Sequence, residues 1–207
     1  MINQKDNSIP PRGAYRKLRS YQGTEIIYDF TVEFCRRYID RTYGPNRTHD
    51  QMVQAARSGK QNIAEGSKAA SPRAATEIKL VNVARASLEE LLLDYEDFLR
   101  QRSLPKWSKD DPRSSAMRAL ARLPDKSYRS YASYLSDAEG AANCMITLIN
   151  QTNFLLDQQI TAIRTQLTDR GIGPESHQQK VTRVLAEKRK KHEQFDDYLK
   201  QFLKKSS

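Results

Sequence analysis

The chain has 207 residues, 38% of them hydrophobic, which is enough to bury one core or a core with an appendage. Its 35 Lys and Arg against 25 Asp and Glu give a net charge of +10, which favours RNA, DNA or another polyanion as partner, solubility being the blander meaning. Two cysteines, Cys35 and Cys144, each within an apolar helical pattern, argue against a disulfide scaffold or a zinc site and fit a reducing compartment. No run approaches the roughly 18 apolar residues of a membrane span, and residues 1–20 hold no signal-like stretch, so a cytoplasmic protein without a membrane partner is expected.

Residues 1–20 carry Pro10, Pro11 and Gly13 among Lys5, Arg12, Arg16, Lys17 and Arg19, the composition of a flexible basic arm. From 24 to 43, Ile27, Phe30, Phe34 and Tyr38 recur at helical spacing, and Gly44 with Pro45 stops the first helix. A second line, Tyr28, Val32, Cys35 and Ile39, makes this helix apolar over more of its circumference than one core requires. The surplus has two outlets, another subunit or cover by the arm or the C-terminal segment.

The second helix opens at Thr48 and Gln51, spaced as a capping box, and turns Met52, Ala56, Gly59, Ile63 and Gly66 inward. Ser71 and Pro72 signal the start of the third, which runs to about 102 with Val81, Ala84, Leu88, Leu91, Tyr95 and Leu99 as its buried line. Between 103 and 136, three prolines, several serines and a short helical piece at 116–123 mark a long crossover. Trp107, Tyr128, Tyr131 and Tyr134 lie there among lysines and arginines; they are expected to pin the crossover to the core, the alternative being stacking on unpaired bases. The fourth helix covers about 137–169 with Ala141, Met145, Leu148, Thr152, Leu155, Gln159 and Ile163 on one line. After Gly173 and Pro174, residues 172–207 read as a basic amphipathic helix. The domain plan is therefore an arm at 1–20, an all-α four-helix bundle at 21–171 with an insertion at 103–136, and that C-terminal helix.

No enzyme signature emerges. Gly59 and Lys60 resemble the end of a phosphate-binding loop, but Gln61 stands where Ser or Thr would hold magnesium and the upstream glycine is missing. His49, His177 and His192 form no Glu-x-x-His pair, so neither a di-metal centre nor any other cofactor is expected. The cluster Glu89, Glu90, Asp94, Glu96 and Asp97 reads as a solvated face, with a cation or a basic partner as the sharper alternatives. The candidate phosphate-contacting set is Arg36, Arg37, Arg41 and Arg47, then Arg57 and Lys60, then Arg183, Lys188, Arg189, Lys190 and Lys191.

The stretch 50–67, DQMVQAARSGKQNIAEGS, and the stretch 77–99, EIKLVNVARASLEELLLDYEDFL, resemble the bacterial four-helix bundle family typified by proteins encoded in intervening sequences of ribosomal RNA genes. NIAEG, at 62–66, is the most telling piece; 142–159 looks like the variant with a C-terminal suffix, and a more distant similarity is to the accessory protein of diversity-generating retroelements. The resemblance covers about 21–170 and implies an antiparallel up-and-down bundle, a homopentameric ring, and RNA and a reverse transcriptase as partners. It carries over no catalytic residue. The expectation is thus a non-enzymatic RNA-binding accessory protein, with a structural hub for a protein partner as the alternative.

Overall fold

The computed structural model describes residues 14–39, 47–68, 74–123 and 126–169, with 185–186 and 189–190; every regular element among the described residues is helical. The chain divides into two units, 1–163 and 164–207. In the second, the described residues are the last turns of a long helix and the helical pairs Leu185, Ala186 and Arg189, Lys190, all four exposed. No described helix is long and apolar enough to cross a membrane.

In the first unit, a 3-10 turn (Ala14–Lys17) leads into α1 (Arg19–Tyr38). The helix therefore starts five residues before the expected 24, and residues 14–17 and 19–20 of the stretch read as a flexible arm are helical. The cause is apolar anchoring: Tyr15 and Leu18 pack on the core, the Tyr15 and Tyr21 rings meet edge to face at 4.8 Å, and Ser20 and Tyr21 are buried. Residues 1–13 lie outside the described residues. α1 ends as Ile39 turns extended while its N–H still donates to the Cys35 carbonyl (3.1 Å); the expected stop at Gly44 and Pro45 lies outside the described residues. Of the second apolar line, Cys35 and Ile39 are buried, Tyr28 is partly covered and Val32 is exposed.

α2 (Arg47–Lys68) opens one residue before Thr48, which thus stands in its first turn. Its inward line is as read: Met52, Ala56, Gly59, Ile63 and Gly66 are all buried. Gly66, the last residue of NIAEG, lies within the helix, where a Cβ would sit 3.4 Å from Leu80 Cβ. At Gly59 a Cβ would come within 3.0 Å of Leu88 Cδ2, so the two glycines let the next helix approach closely.

α3 (Ala74–Gln101) buries the whole expected line from Val81 to Leu99; the expected start at Ser71 and Pro72 lies outside the described residues. It stops at Ser103, which takes the left-handed conformation (φ 54°) usually left to glycine, while Leu104 N–H closes on the Leu99 carbonyl at 2.9 Å. Phe34 sits where α1 and α3 meet, with ring centroids 4.8 Å from both Tyr95 and Phe98; Thr31 and Tyr95 share a buried hydroxyl contact at 2.9 Å.

The crossover holds α4 (Pro112–Leu120) and a 3-10 helix (Tyr128–Ser136). α4 starts four residues before the expected 116 because Asp111 caps it, accepting from the Arg113 N–H at 2.8 Å, with Pro112 in the first turn. α5 (Ala138–Asp169) is capped by Asp137, which accepts from the Gly140 N–H at 2.6 Å, and carries Ala141, Met145, Leu148 and Thr152 buried. It meets α1 through Ser20 and Gln159 (2.9 Å) and α3 through Asn153 with Glu89 (3.2 Å) and Arg85 with Asp157 (2.9 Å).

Both thiols are buried, Cys35 against Met52. Burial first, then Asp94 and Asp50, pushes the Cys35 thiol up to about 12 from its ordinary 9, and burial raises Cys144 as well. A thiol reagent at pH 8 should therefore label neither cysteine in the native protein and both after unfolding. Because the folded state holds the Cys35 proton longer, the stability it contributes is complete below pH 9 and falls as pH rises through about 12. Native labelling of Cys35 would contradict the packing.

Candidate nucleic-acid interface

The cations read from the sequence do not form one open surface. Arg36 and Arg37 both pair with Glu33 at 2.6 Å, and together, Arg36 foremost, they hold its carboxyl down to about 2. Arg37 also donates to the Leu135 carbonyl (3.0 Å), beside the Tyr38 hydroxyl, which donates to the same oxygen at 2.7 Å. These two arginines thus neutralise an acid, and Arg37 with Tyr38 anchors the 3-10 helix. Lys60 lies 3.9 Å over the Tyr28 ring, and Arg47 lines a depression with Asp50, Glu90 and Asp94. Arg57 is exposed and pairs with no acid among the described residues. Arg189 and Lys190 are exposed in the second unit; Arg41, Arg183, Lys188 and Lys191 lie outside the described residues.

The acidic cluster is divided as well. Asn153 reaches Glu89, Lys106 pairs with Glu96 at 2.5 Å, and Arg100 pairs with Asp97 at 2.9 Å. Asp94 keeps its proton more readily than an ordinary Asp, through burial first and then the charges of Asp97 and Glu90.

The structure assembles a different cationic site, a groove of about 650 Å³ between the crossover, the outer face of α5 and the start of α1. Arg19, Lys106, Lys109, Arg118 and Arg122 line it, and no carboxylate does. Lys106 is committed to Glu96, whereas Arg19, Lys109, Arg118 and Arg122 pair with no acid among the described residues. Arg118 is aimed by two neutral acceptors, the Lys109 carbonyl at 2.8 Å and Ser115 Oγ at 2.7 Å, and no acid among the described residues offsets its charge. The apolar part comes from Trp107, Ile146, Leu155 and Phe154, the last 62% exposed although it sits in mid-helix. A surface with several unpaired cations beside an open aromatic ring suits an anion that also carries a flat apolar face.

Asn143 holds the groove's wall in place. This side chain is buried; its Oδ1 accepts from the Trp107 N–H (2.7 Å), and its Nδ2 donates to the Pro105 and Glu139 carbonyls (2.9 and 3.0 Å). The Trp107 indole N–H donates to Glu139 at 2.7 Å, and Arg113, itself paired with Glu139 and Asp111, covers the indole at 4.2 Å. The aromatics of the crossover therefore serve as anchors, as expected: Tyr131 is fully buried, so stacking on a base is closed to it, while Tyr128 and Tyr134 pack against the core. Asn143→Ala leaves the Trp107 N–H and the Pro105 carbonyl without their partner, and should cost about 2–4 kcal/mol of stability and shift Trp107 emission to the red. An unchanged spectrum and melting point would contradict the anchoring role.

Among the described residues no group of three His, Cys, Asp or Glu stands close enough to hold a metal ion. No family model, curated protein or solved structure matches the chain.

The sequence reading missed the groove because its residues come from three distant stretches, at 19, 106–122 and 146–155. One local signal was available: Phe154 falls outside the inward line of its helix, and in that position a large aromatic residue has nothing to pack on.

Proposed function

We propose that this chain is a non-catalytic RNA-binding accessory protein that acts as a ring-shaped oligomer, of the bacterial four-helix bundle type that its sequence resembles. The observation that carries the reading is the groove, with Arg19, Lys109, Arg118 and Arg122 paired with no acid among the described residues, an exposed Phe154 beside them and no described carboxylate in the lining. Polyphosphate neutralises such a set by releasing counterions, so binding weakens as salt rises. The net charge of +10 extends the attraction over the whole molecule.

In this reading α1, α2, α3 and α5 form an antiparallel up-and-down bundle. The contacts between neighbours support it, since they climb one helix as they descend the next: Tyr28 with Lys60 and Cys35 with Met52; Gly59 with Leu88 and Gly66 with Leu80; Arg85 with Asp157 and Glu89 with Asn153. The crossover then spans the bundle's side and carries the groove's wall. Several copies in a ring would multiply weak phosphate contacts by about 10² to 10⁴ without any base-specific contact, and a reverse transcriptase is the partner the resemblance suggests.

Light scattering with and without RNA, at low and at high salt, tests the proposal. A multimer that gains RNA mass only at low salt supports it; a monomer indifferent to RNA overturns it. The second reading, a hub for a protein partner, draws on the polar depression lined by Asp50, Glu90 and Asp94 between α2 and α3, which would favour a basic peptide. Charge-reversing Glu90 and Asp94 would disrupt that partner's binding and leave RNA binding unchanged.

A further inference from the structure

We propose that the groove selects unpaired RNA: a single-stranded segment lays a base against Phe154 while its phosphates meet Arg118, Arg122 and Lys109. The inference rests on the RNA-binding reading above and specifies the form of RNA that the site takes.

Three observations carry it. First, charge: every charged residue of the lining is a cation, and the three cations assigned to phosphate all lie on the crossover side. Second, the apolar face: Phe154, on α5, lines the same groove and is 62% exposed, a costly position for a phenylalanine unless something flat covers it. Third, polar groups flank that ring: Thr147, Asn150 and Gln151 share the lining, and Asn150 uses its amide N–H₂ on the Ile146 carbonyl, which leaves its oxygen to accept from a base edge.

A duplex matches this arrangement only in part. It offers phosphates to the crossover cations, but its base faces are stacked inside the helix and its A-form major groove is too narrow to admit a side chain, so Phe154 would stay uncovered. A single strand presents both phosphate and a free base face, and stacking on an aromatic ring tolerates any base. A volume of about 650 Å³ accommodates about one or two nucleotides, so the groove would hold a short part of the strand.

Trp107 is the chain's one tryptophan and lines the groove, so its emission reports occupancy directly. The experiment titrates the full chain at low salt with a 12-nucleotide single strand, the same strand in a duplex, free mononucleotide, and anionic phosphatidylglycerol vesicles. The expected result is a change in Trp107 emission with the single strand at a concentration where the duplex gives little. Phe154→Ala and Phe154→Leu should each weaken single-strand binding about 5- to 100-fold, and Phe154→Tyr should retain it. All three variants should fold, because the side chain is exposed.

If single strand and duplex bind alike, and Phe154→Ala changes neither, the inference fails while the RNA-binding reading stands. If neither RNA binds, both fail. Mononucleotide binding as tightly as the strand would also overturn the inference, by making the groove a small-molecule site. An emission change with vesicles but not with RNA would assign the groove to a lipid surface and overturn both readings.

Discussion

Phe34→Ala lowers the free energy of unfolding by about 3–5 kcal/mol, measured by denaturant titration. Phe34 is fully buried and lies 4.8 Å, centroid to centroid, from the rings of both Tyr95 and Phe98, with Tyr38 at 5.3 Å. Truncation removes the shared member of all these contacts and leaves a cavity between α1 and α3 that neither helix readily closes, since Thr31 and Tyr95 hold them together nearby. Small domains have about 5–15 kcal/mol in total, so the variant should be near the limit of folding. Phe34→Leu keeps most of the volume and should cost clearly less. Equal losses for the two substitutions would indicate that the aromatic cluster is not the keystone of the α1 and α3 contact.

Arg118→Gln combined with Arg122→Gln weakens RNA binding by about 10²-fold at low salt, at roughly tenfold for each lost charge-assisted contact. The slope of log affinity against log salt should become shallower by about 1.4, or about 0.7 for each phosphate released on a single strand. Thermal stability should hardly change, because Arg122 is exposed and, among the described residues, Arg118 bonds to the Lys109 carbonyl and Ser115 alone. The contrasting pair is Arg36→Gln with Arg37→Gln. Those arginines already neutralise Glu33, so their loss should affect RNA binding far less and instead release the anchor on the Leu135 carbonyl. If the Arg36 and Arg37 pair proved the more damaging, the end of α1 would be the phosphate contact and the groove would not.

The helical architecture was legible because a core stripe repeats every third or fourth residue along one helix, a signal contained in a few turns of chain. Val81, Ala84, Leu88, Leu91, Tyr95 and Leu99 were assigned inward from spacing alone, and all are buried. Boundaries were less accurate where local signals competed: Asp111 with Pro112 starts α4 before the apolar residues that mark its face, and Tyr15 with Leu18 anchors a stretch whose Pro and Arg content reads as loose. Pairing of cations was partly readable and went unread. Glu33 stands three and four residues before Arg36 and Arg37, the spacing at which side chains meet on a helix. The groove was not readable, because Arg19, Arg118 and Phe154 are brought together by the crossover's path, and that path is fixed by Asn143, a polar residue within the apolar run AANCMITLI. A buried Asn bonded to two distant backbone groups leaves no periodic trace.

In the RNA-binding reading, RNA lies in the groove between the crossover and α5. Ultraviolet cross-linking of bound RNA, followed by peptide mapping, reads this placement, since aromatic side chains in contact with bases react first. Cross-links are expected on the peptide that contains Phe154, and are lost when Arg118 and Arg122 are replaced by Gln. Cross-links confined to α2 or to residues 172–207, with none at Phe154, would contradict it.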